Sequence, residues 1–435
     1  MGTAGLILSF SKKRVWLWAM NPYLVFVIAA LVAGYLLELV LALAGLRSLA
    51  PDIPAEFSDI LDAEEYGRSQ DYIRATTRLS LLQATFILPL TLVFILAGGF
   101  NSVDILARSA GLSSIPTGLL FTGLLVLLNF CIQLPFSLYS TFVLEERFGL
   151  NKTTARTFIL DLGKTLLLAV LLGGPLLAGV LWFFEYAGEL AWLYSWLTIV
   201  LFSLFVQLVA PVLILPLFNR FSPLADGELK EAIISYAEQQ DFPLKGIYTM
   251  DGSRRSSRAN AFFTGLGRLR RIVLFDTLLA AMNTRETVAI LAHEMGHFKK
   301  HHIRKMMLIS LAQSGMMLYL LSFFLHNPGL SAAFSMQYVS TYAGLVFFAF
   351  LYAPISLLLS LLGNLLSRRY EYEADRFAVS SSGLAEPLIT ALKKLCRRNL
   401  ANLTPHPLQV LVHYSHPPVL ERIRAIRAYA AVKED

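Results

Sequence analysis

Seven stretches of this chain are apolar for long enough to cross a bilayer core of about 30 Å as helices, and that leaves few folds open to it. They run over roughly 21–45, 79–98, 117–140, 165–184, 190–217, 306–325 and 341–366. Hydrocarbon offers backbone groups no partners, so each stretch has to satisfy its own hydrogen bonds as a helix. Composition agrees: 56% of the 435 residues are hydrophobic and 15% are charged, outside the range of a soluble globular chain. The first stretch lacks a small-residue cleavage pattern and six more follow it, so it reads as a span and not as a cleaved signal peptide.

A net charge of +7 does not point to nucleic acid, because the Lys and Arg residues lack the aromatic interleaving of a nucleic-acid surface. Topology accounts for them instead. The loop at 99–116 holds only Arg108, and the loops at 185–189 and 326–340 hold no Lys or Arg. By contrast 219–305 carries fourteen, and the tail from Arg368 onward is also rich in them, which places both on the cytoplasmic side. Seven spans then put the N-terminus outside, against the local signal of Lys12, Lys13 and Arg14. Cys131 falls in a span and Cys396 in a basic helical stretch, so the cysteines give neither a disulfide framework nor a thiolate metal site.

The chain divides into spans one to five at 1–217, a soluble segment at 218–305, spans six and seven at 306–366, and a tail at 367–435. In the soluble segment, two β-rich runs within Ala259–Leu279 joined at Gly265–Gly267 read as a hairpin. A largely buried helix follows, with Asn283 and Glu286 as its N-terminal capping pair. That helix carries HEMGH at 293–297. Residues four apart share a helix face, so His293 and His297 can present two imidazole nitrogens to one metal ion. Glu294 beside them is placed to act as general base on water that the metal has acidified.

A zinc hydrolase needs a third protein ligand, and the run SRRYEYEAD directly after span seven offers Glu371. Asp375, four residues on, lies on the same face and either supports a ligand imidazole or passes a proton to the leaving amine. Glu373 reads as part of a solvated acidic face paired with Arg368, Arg369 and Arg376. His301 and His302 sit among basic residues and read as a solvated or headgroup-facing helix end outside the metal set. The chain is therefore expected to be an α-helical integral membrane protein with a zinc protease site. The HExxH helix, the hairpin and the tail would build that site.

HEMGH, EYEAD, SHPPVLER at 415–422 and RANAFFTGLGRLRRIVLFDTLL at 258–279 together resemble the type I CAAX prenyl endopeptidases, membrane zinc proteases of the gluzincin group. VLEERFGLNKTT at 143–154 and PLFNRFSPL at 216–224 extend the resemblance over most of the chain. It implies one Zn2+ per chain held by His293, His297 and Glu371, with Glu294 as base and Asp375 as a second catalytic or supporting carboxylate. It also implies that His416 and Arg422 face the reacting carbonyl, and that Asn260 and Ala261 lie on the strand holding an extended substrate. A large chamber within the seven helices is part of the same resemblance.

Three functions fit this reading. The first is an endopeptidase that removes the last three residues of prenylated CAAX-type proteins, in contact with membrane lipid, in a bacterial inner membrane or, in a eukaryote, the endoplasmic reticulum. The second is a membrane quality-control protease without prenyl specificity, and the ratio of prenylated to unprenylated peptide cleavage separates the two. The third is a transporter or channel with an incidental HExxH, built around intramembrane prolines such as Pro135, Pro175, Pro211 and Pro354. Flux that survives loss of Glu294 would mark the third.

Overall fold

The computed structural model describes residues 21–242, 244–264 and 271–434. The basic run at 12–14 and the hairpin turn at 265–267 lie outside the described residues. The seven expected spans are all present as helices, and several run well past their apolar cores. Spans one and two are α1 (Pro22–Arg47) and α2 (Ala63–Leu96). A short helix, α3 (Gly99–Arg108), precedes spans three to five, which are α4 (Ser114–Glu145), α5 (Ala155–Tyr186) and α6 (Gly188–Phe218). At about 1.5 Å per residue, the 34 residues of α2 reach roughly 50 Å, well beyond the hydrocarbon, so the charged first half of α2 projects from the membrane.

After span five comes the soluble segment. It runs through β1 (Phe221–Pro223), α7 (Glu228–Gln239), β2 (Gly246–Met250), β3 (Ala261–Thr264), β4 (Arg271–Phe275) and α8 (Thr284–Lys299). The expected hairpin is β3 paired antiparallel with β4, Ala261 opposite Leu274 and Phe263 opposite Ile272. It belongs to a larger sheet than the sequence suggested, in the order β1-β2-β4-β3, with β2 parallel to β4 and β1 antiparallel to β2. The capping pair forms as expected: Asn283 Oδ1 accepts from Glu286 N at 2.9 Å, and Glu286 Oε2 accepts from Asn283 N at 3.0 Å.

Spans six and seven are α9 (His302–Phe324) and α10 (Thr341–Ser382). Helix α10 does not stop at the membrane surface. Its first part is the apolar span, and its last part, including Glu371 and Asp375, enters the soluble layer, where both carboxylates are buried. The tail adds α11 (Ala385–Arg398), α12 (Pro407–His413) and α13 (Val419–Glu434). One core joins these distant pieces: Ile272 and Leu274 of the sheet, Leu291 and Met295 of α8, Ala378 of α10, Leu388 of α11 and Ile423 of α13. Phe57, fully buried between α1 and α2, completes it. The core draws its residues from both soluble segments, so neither buries it alone.

Helices α8 and α10 approach closely at Gly296, the glycine of HEMGH. A side chain there would come within 2.9 Å of the Ala374 Cα and 3.0 Å of its carbonyl oxygen. The missing Cβ is what lets the two metal-binding half-sites meet.

Candidate active site

On α8, His293 and His297 stand one turn apart and face the inner end of α10, where Glu371 points back at them. The closest approaches are 3.2 Å between the two imidazole Nε2 atoms, 3.4 Å from His293 Nε2 to Glu371 Oε2, and 3.2 Å from His297 Nε2 to Glu371 Oε1. One ligand atom from each of the three lies within 4.8 Å of the others. Glu371 is 3% exposed, and among the described residues its buried Oε2 has no hydrogen-bond partner. A buried acceptor costs free energy unless something satisfies it. Two imidazole nitrogens and a carboxylate oxygen gathered around such an atom are a donor set suited to zinc with a coordination position left open. The residues fit the group.

Behind each histidine stands a partner. His293 Nδ1 lies 2.8 Å from Asp375 Oδ1, the geometry for Nδ1–H donating to the carboxylate and leaving Nε2 to face the metal position. Asp375 is fully buried and accepts twice more, from Arg422 Nε at 2.8 Å and Arg422 Nη2 at 2.7 Å. Burial opposes a charge on His293, but Asp375 outweighs it and lifts the imidazole to about 9. Arg422, itself 8% exposed, also places Nη1 3.3 Å from Glu371 Oε2. Fixed on α13, it ties the tail to both carboxylates of α10.

His297 is backed by His302, whose Nδ1 is 3.2 Å from its own Nδ1. In turn His302 Nε2 lies 3.1 Å from Glu373 Oε2, and the His302 ring stacks on Tyr370 with centroids 4.1 Å apart. This corrects the expectation for His302 alone. His302 is 2% exposed and faces the site, while its neighbour His301 is exposed. Glu373 does pair with Arg369, at 3.1 Å, yet its other oxygen serves His302. Arg368 and Arg376 take other partners: Arg368 donates to the Val410 and Tyr414 carbonyls, and Arg376 stands over the Tyr429 ring. If His302 orients His297, replacing it with Ala should weaken zinc binding about tenfold to 100-fold, measured by competition with a chelator. An unchanged affinity would reduce His302 to packing.

A cavity of about 430 Å³ opens over the site, lined by His293, Glu294, His297, Glu371, His416 and Arg422 on one side and Ala259, Asn260 and Ala261 on the other. Asp375 does not line it. Glu294 is half-buried and reaches the cavity beside its two histidines. His416 is exposed to this space, with Nε2 3.3 Å from Glu371 Oε1. Strand β3 is an edge of the sheet, and Asn260 at its start is exposed. Thus the structure brings all nine sequence-derived site residues into one place, with Asp375 one layer behind. The two cysteines stay apart as free thiols, and burial pushes Cys396 up to about 12.

Family comparisons agree with this architecture. Residues 45–220 match the CAAX prenyl protease N-terminal model of five membrane helices, and residues 223–430 match Peptidase family M48. CAAX prenyl protease 1 of Saccharomyces cerevisiae is 35% identical over 401 residues, covering 86% of this chain and 88% of the relative. CAAX prenyl protease 1 homolog of Arabidopsis thaliana is 35% identical over 419 residues, covering 93% of this chain and 97% of the relative. Among solved structures, the crystal structure of S. mikatae Ste24p superposes with a TM-score of 0.89 at 34% identity, over 93% of this chain and 99% of that one. A multi-pass membrane chain whose soluble layer gathers two helices and a sheet edge around a His-His-Glu cluster thus belongs to peptidase family M48, within the CAAX prenyl protease 1 group.

Proposed function

We propose that this protein is a zinc-dependent endopeptidase that removes the last three residues of C-terminal CAAX-type substrates carrying a prenylated cysteine. One observation carries the protease reading: an open sheet edge at Asn260–Ala261 shares a cavity with His293, His297, Glu371 and Glu294. Backbone pairing to that edge would hold any extended peptide, and side-chain pockets would set its register. His293, His297 and Glu371 would hold one zinc ion per chain. When bound, zinc acidifies water and polarises a carbonyl.

The remaining roles belong to the chain's own residues. Glu294 takes the proton from the attacking water and carries it towards the leaving amine. His416, the exposed histidine at the cavity, donates to the oxygen of the reacting carbonyl as it becomes negative. Asp375 and Arg422 hold geometry: Asp375 fixes the His293 tautomer, and Arg422 fixes Asp375 and Glu371. The buried position of Asp375 favours this positioning role over proton donation to the leaving amine.

The prenyl specificity rests on the names of the relatives and on chemistry. A prenylated peptide is amphiphilic, and a site at the end of a cage of apolar helices suits one. The Lys and Arg bias of 219–305 and of the tail supports a site at the cytoplasmic face. A farnesylated CAAX peptide should be cleaved at least about tenfold faster, in kcat/KM, than an unprenylated peptide of the same sequence, since burying a long apolar chain is worth more than the one or two kcal/mol this needs. Equal rates would favour a quality-control protease on the same scaffold.

A further inference from the structure

The substrate edge of β3 is open only over a short length. Asn260 turns its carbonyl inward to accept from Phe275 N at 3.1 Å, so the outward-facing backbone groups are those of Ala261 and Phe263 on one side and Ala259 and Ser257 on the other, the Ala261 N–H being held locally by Asn260 Oδ1 at 2.9 Å. Upstream, three of the four outward groups of Ala259 and Ser257 are already taken. Ala259 N donates to Asn399 Oδ1 at 3.2 Å, Ser257 N donates to the Leu150 carbonyl at 3.1 Å, and Arg398 Nε donates to the Ser257 carbonyl at 2.8 Å. The end of α11 therefore plugs the edge two residues before Ala261.

Direction gives the plug a meaning. An extended peptide added antiparallel to β3, the more stable pairing, runs its C-terminal side towards Ala259. Three residues beyond the cleaved bond span about 10 Å when extended, and on that side the edge ends where Asn399 holds Ala259. Asn399 also lines the catalytic cavity, and because its Oδ1 accepts from Ala259, the group it offers there is the Nδ2 donor. Its position is enforced. Leu400, next in the chain, sits in the left-handed region at φ 50°, a conformation costly for a branched side chain, held by burial against Leu144, Phe148 and Leu150.

Behind this wall lies a second cavity of about 440 Å³, lined by Arg68, Ser257, Lys394, Arg397, Arg398 and Leu400 among others. Two of its four cations are neutralised, Arg397 by Glu65 and Lys394 by Glu286. Arg68 and Arg398 donate to the carbonyls of Phe148 and Ser257, and among the described residues neither has a carboxylate partner. Arg398, one of these two cations, directly precedes Asn399 in the chain, so uncompensated positive charge adjoins the closed end of the groove.

We propose that Asn399, backed by Arg398 and Arg68, binds the C-terminal carboxylate of the substrate, so that the groove measures the cut three residues from a free chain end. This inference rests on the endopeptidase reading above and adds the feature of the substrate that fixes the scissile bond. Carboxylate recognition by an amide donor and nearby guanidiniums is a charge-assisted contact that a neutral terminus cannot make.

The test compares kcat/KM for a farnesylated CAAX peptide as free acid, as C-terminal carboxamide and with four further residues, alongside the unprenylated trio. The wild-type enzyme should prefer the free acid by about tenfold to 100-fold over the other two. Asn399→Asp keeps an oxygen for Ala259 N and replaces the donor by a negative charge, so its acid-to-amide ratio should fall to about one or below. Arg398→Gln should lower the ratio severalfold, and it serves if Asn399→Asp proves unstable in a melting assay. A wild-type ratio near one, or a ratio unchanged in both variants, would overturn the assignment. Failure of the prenyl reading looks different: farnesylated and unprenylated peptides would be cut alike, while the acid-to-amide ratio on the unprenylated pair would still decide the role of Asn399.

Discussion

Glu294→Gln is expected to reduce peptide cleavage about 100-fold to 10,000-fold while leaving the zinc content near one per chain and the melting temperature unchanged. The substitution is nearly isosteric, and among the described residues Glu294 makes no ion pair that its loss would strand. Its neighbours His293 and His297 keep their partners Asp375 and His302 on the far side of the rings. Only proton transfer is lost. His416→Ala should be milder, about 100-fold to 1,000-fold, because one donor to the developing charge is removed while the others remain. Single-turnover rates with zinc measured on the same samples separate the cases: wild-type cleavage by Glu294→Gln would remove the general-base mechanism. A parallel loss of metal would mean instead that Glu294 supports the site structurally.

Much of this molecule could be read before any coordinates, for identifiable reasons. The bilayer imposes a length and an apolarity that few other environments demand, so the spans stood out. HEMGH and EYEAD are local patterns, each setting two groups one helical turn apart, and locality is what a sequence displays. What the sequence concealed was tertiary. His302 lies among Lys299, Lys300, Arg304 and Lys305, and its charge pattern resembles a headgroup-facing helix end. Its burial comes from Tyr370, on another helix and 68 positions away.

Strands β1 and β2 escaped as well. One is three residues long and ends in Pro223, the other is five residues, and neither offers enough alternation to register as a strand. Asn399 carries no motif at all. Its interest arises from the hydrogen bond to Ala259, across 140 positions of chain, and from the left-handed residue beside it. By the same logic, SHPPVLER could mark Arg422 as important without revealing that its partner is Asp375.

Glu371→Ala should produce the largest change in metal content, from about one zinc per chain to nearly none after dialysis. Two ligands four residues apart on one helix make a weak site, and the third ligand from α10 closes it. A rival account would make Glu371 merely the anion that neutralises Arg422, 3.3 Å away. On that account the metal would remain and the loss would be one of stability, several kcal/mol for a buried arginine left with one carboxylate instead of two. The structure argues against it through geometry. Arg422 already makes two hydrogen bonds to Asp375, at 2.7 and 2.8 Å, whereas Glu371 sets Oε1 3.2 Å from His297 Nε2 and, among the described residues, its Oε2 has no hydrogen-bond partner. Asp375→Asn provides the graded comparison: it keeps an acceptor for His293 Nδ1–H but removes the charge, and should cost about tenfold to 100-fold in zinc affinity without emptying the site. Zinc measured by elemental analysis in Glu371→Ala, Asp375→Asn and Glu373→Ala should therefore fall in that order of severity, with Glu373→Ala closest to wild type. Full occupancy in Glu371→Ala would exclude it as the third ligand and return the search to His416, the other cavity residue in reach of the same position.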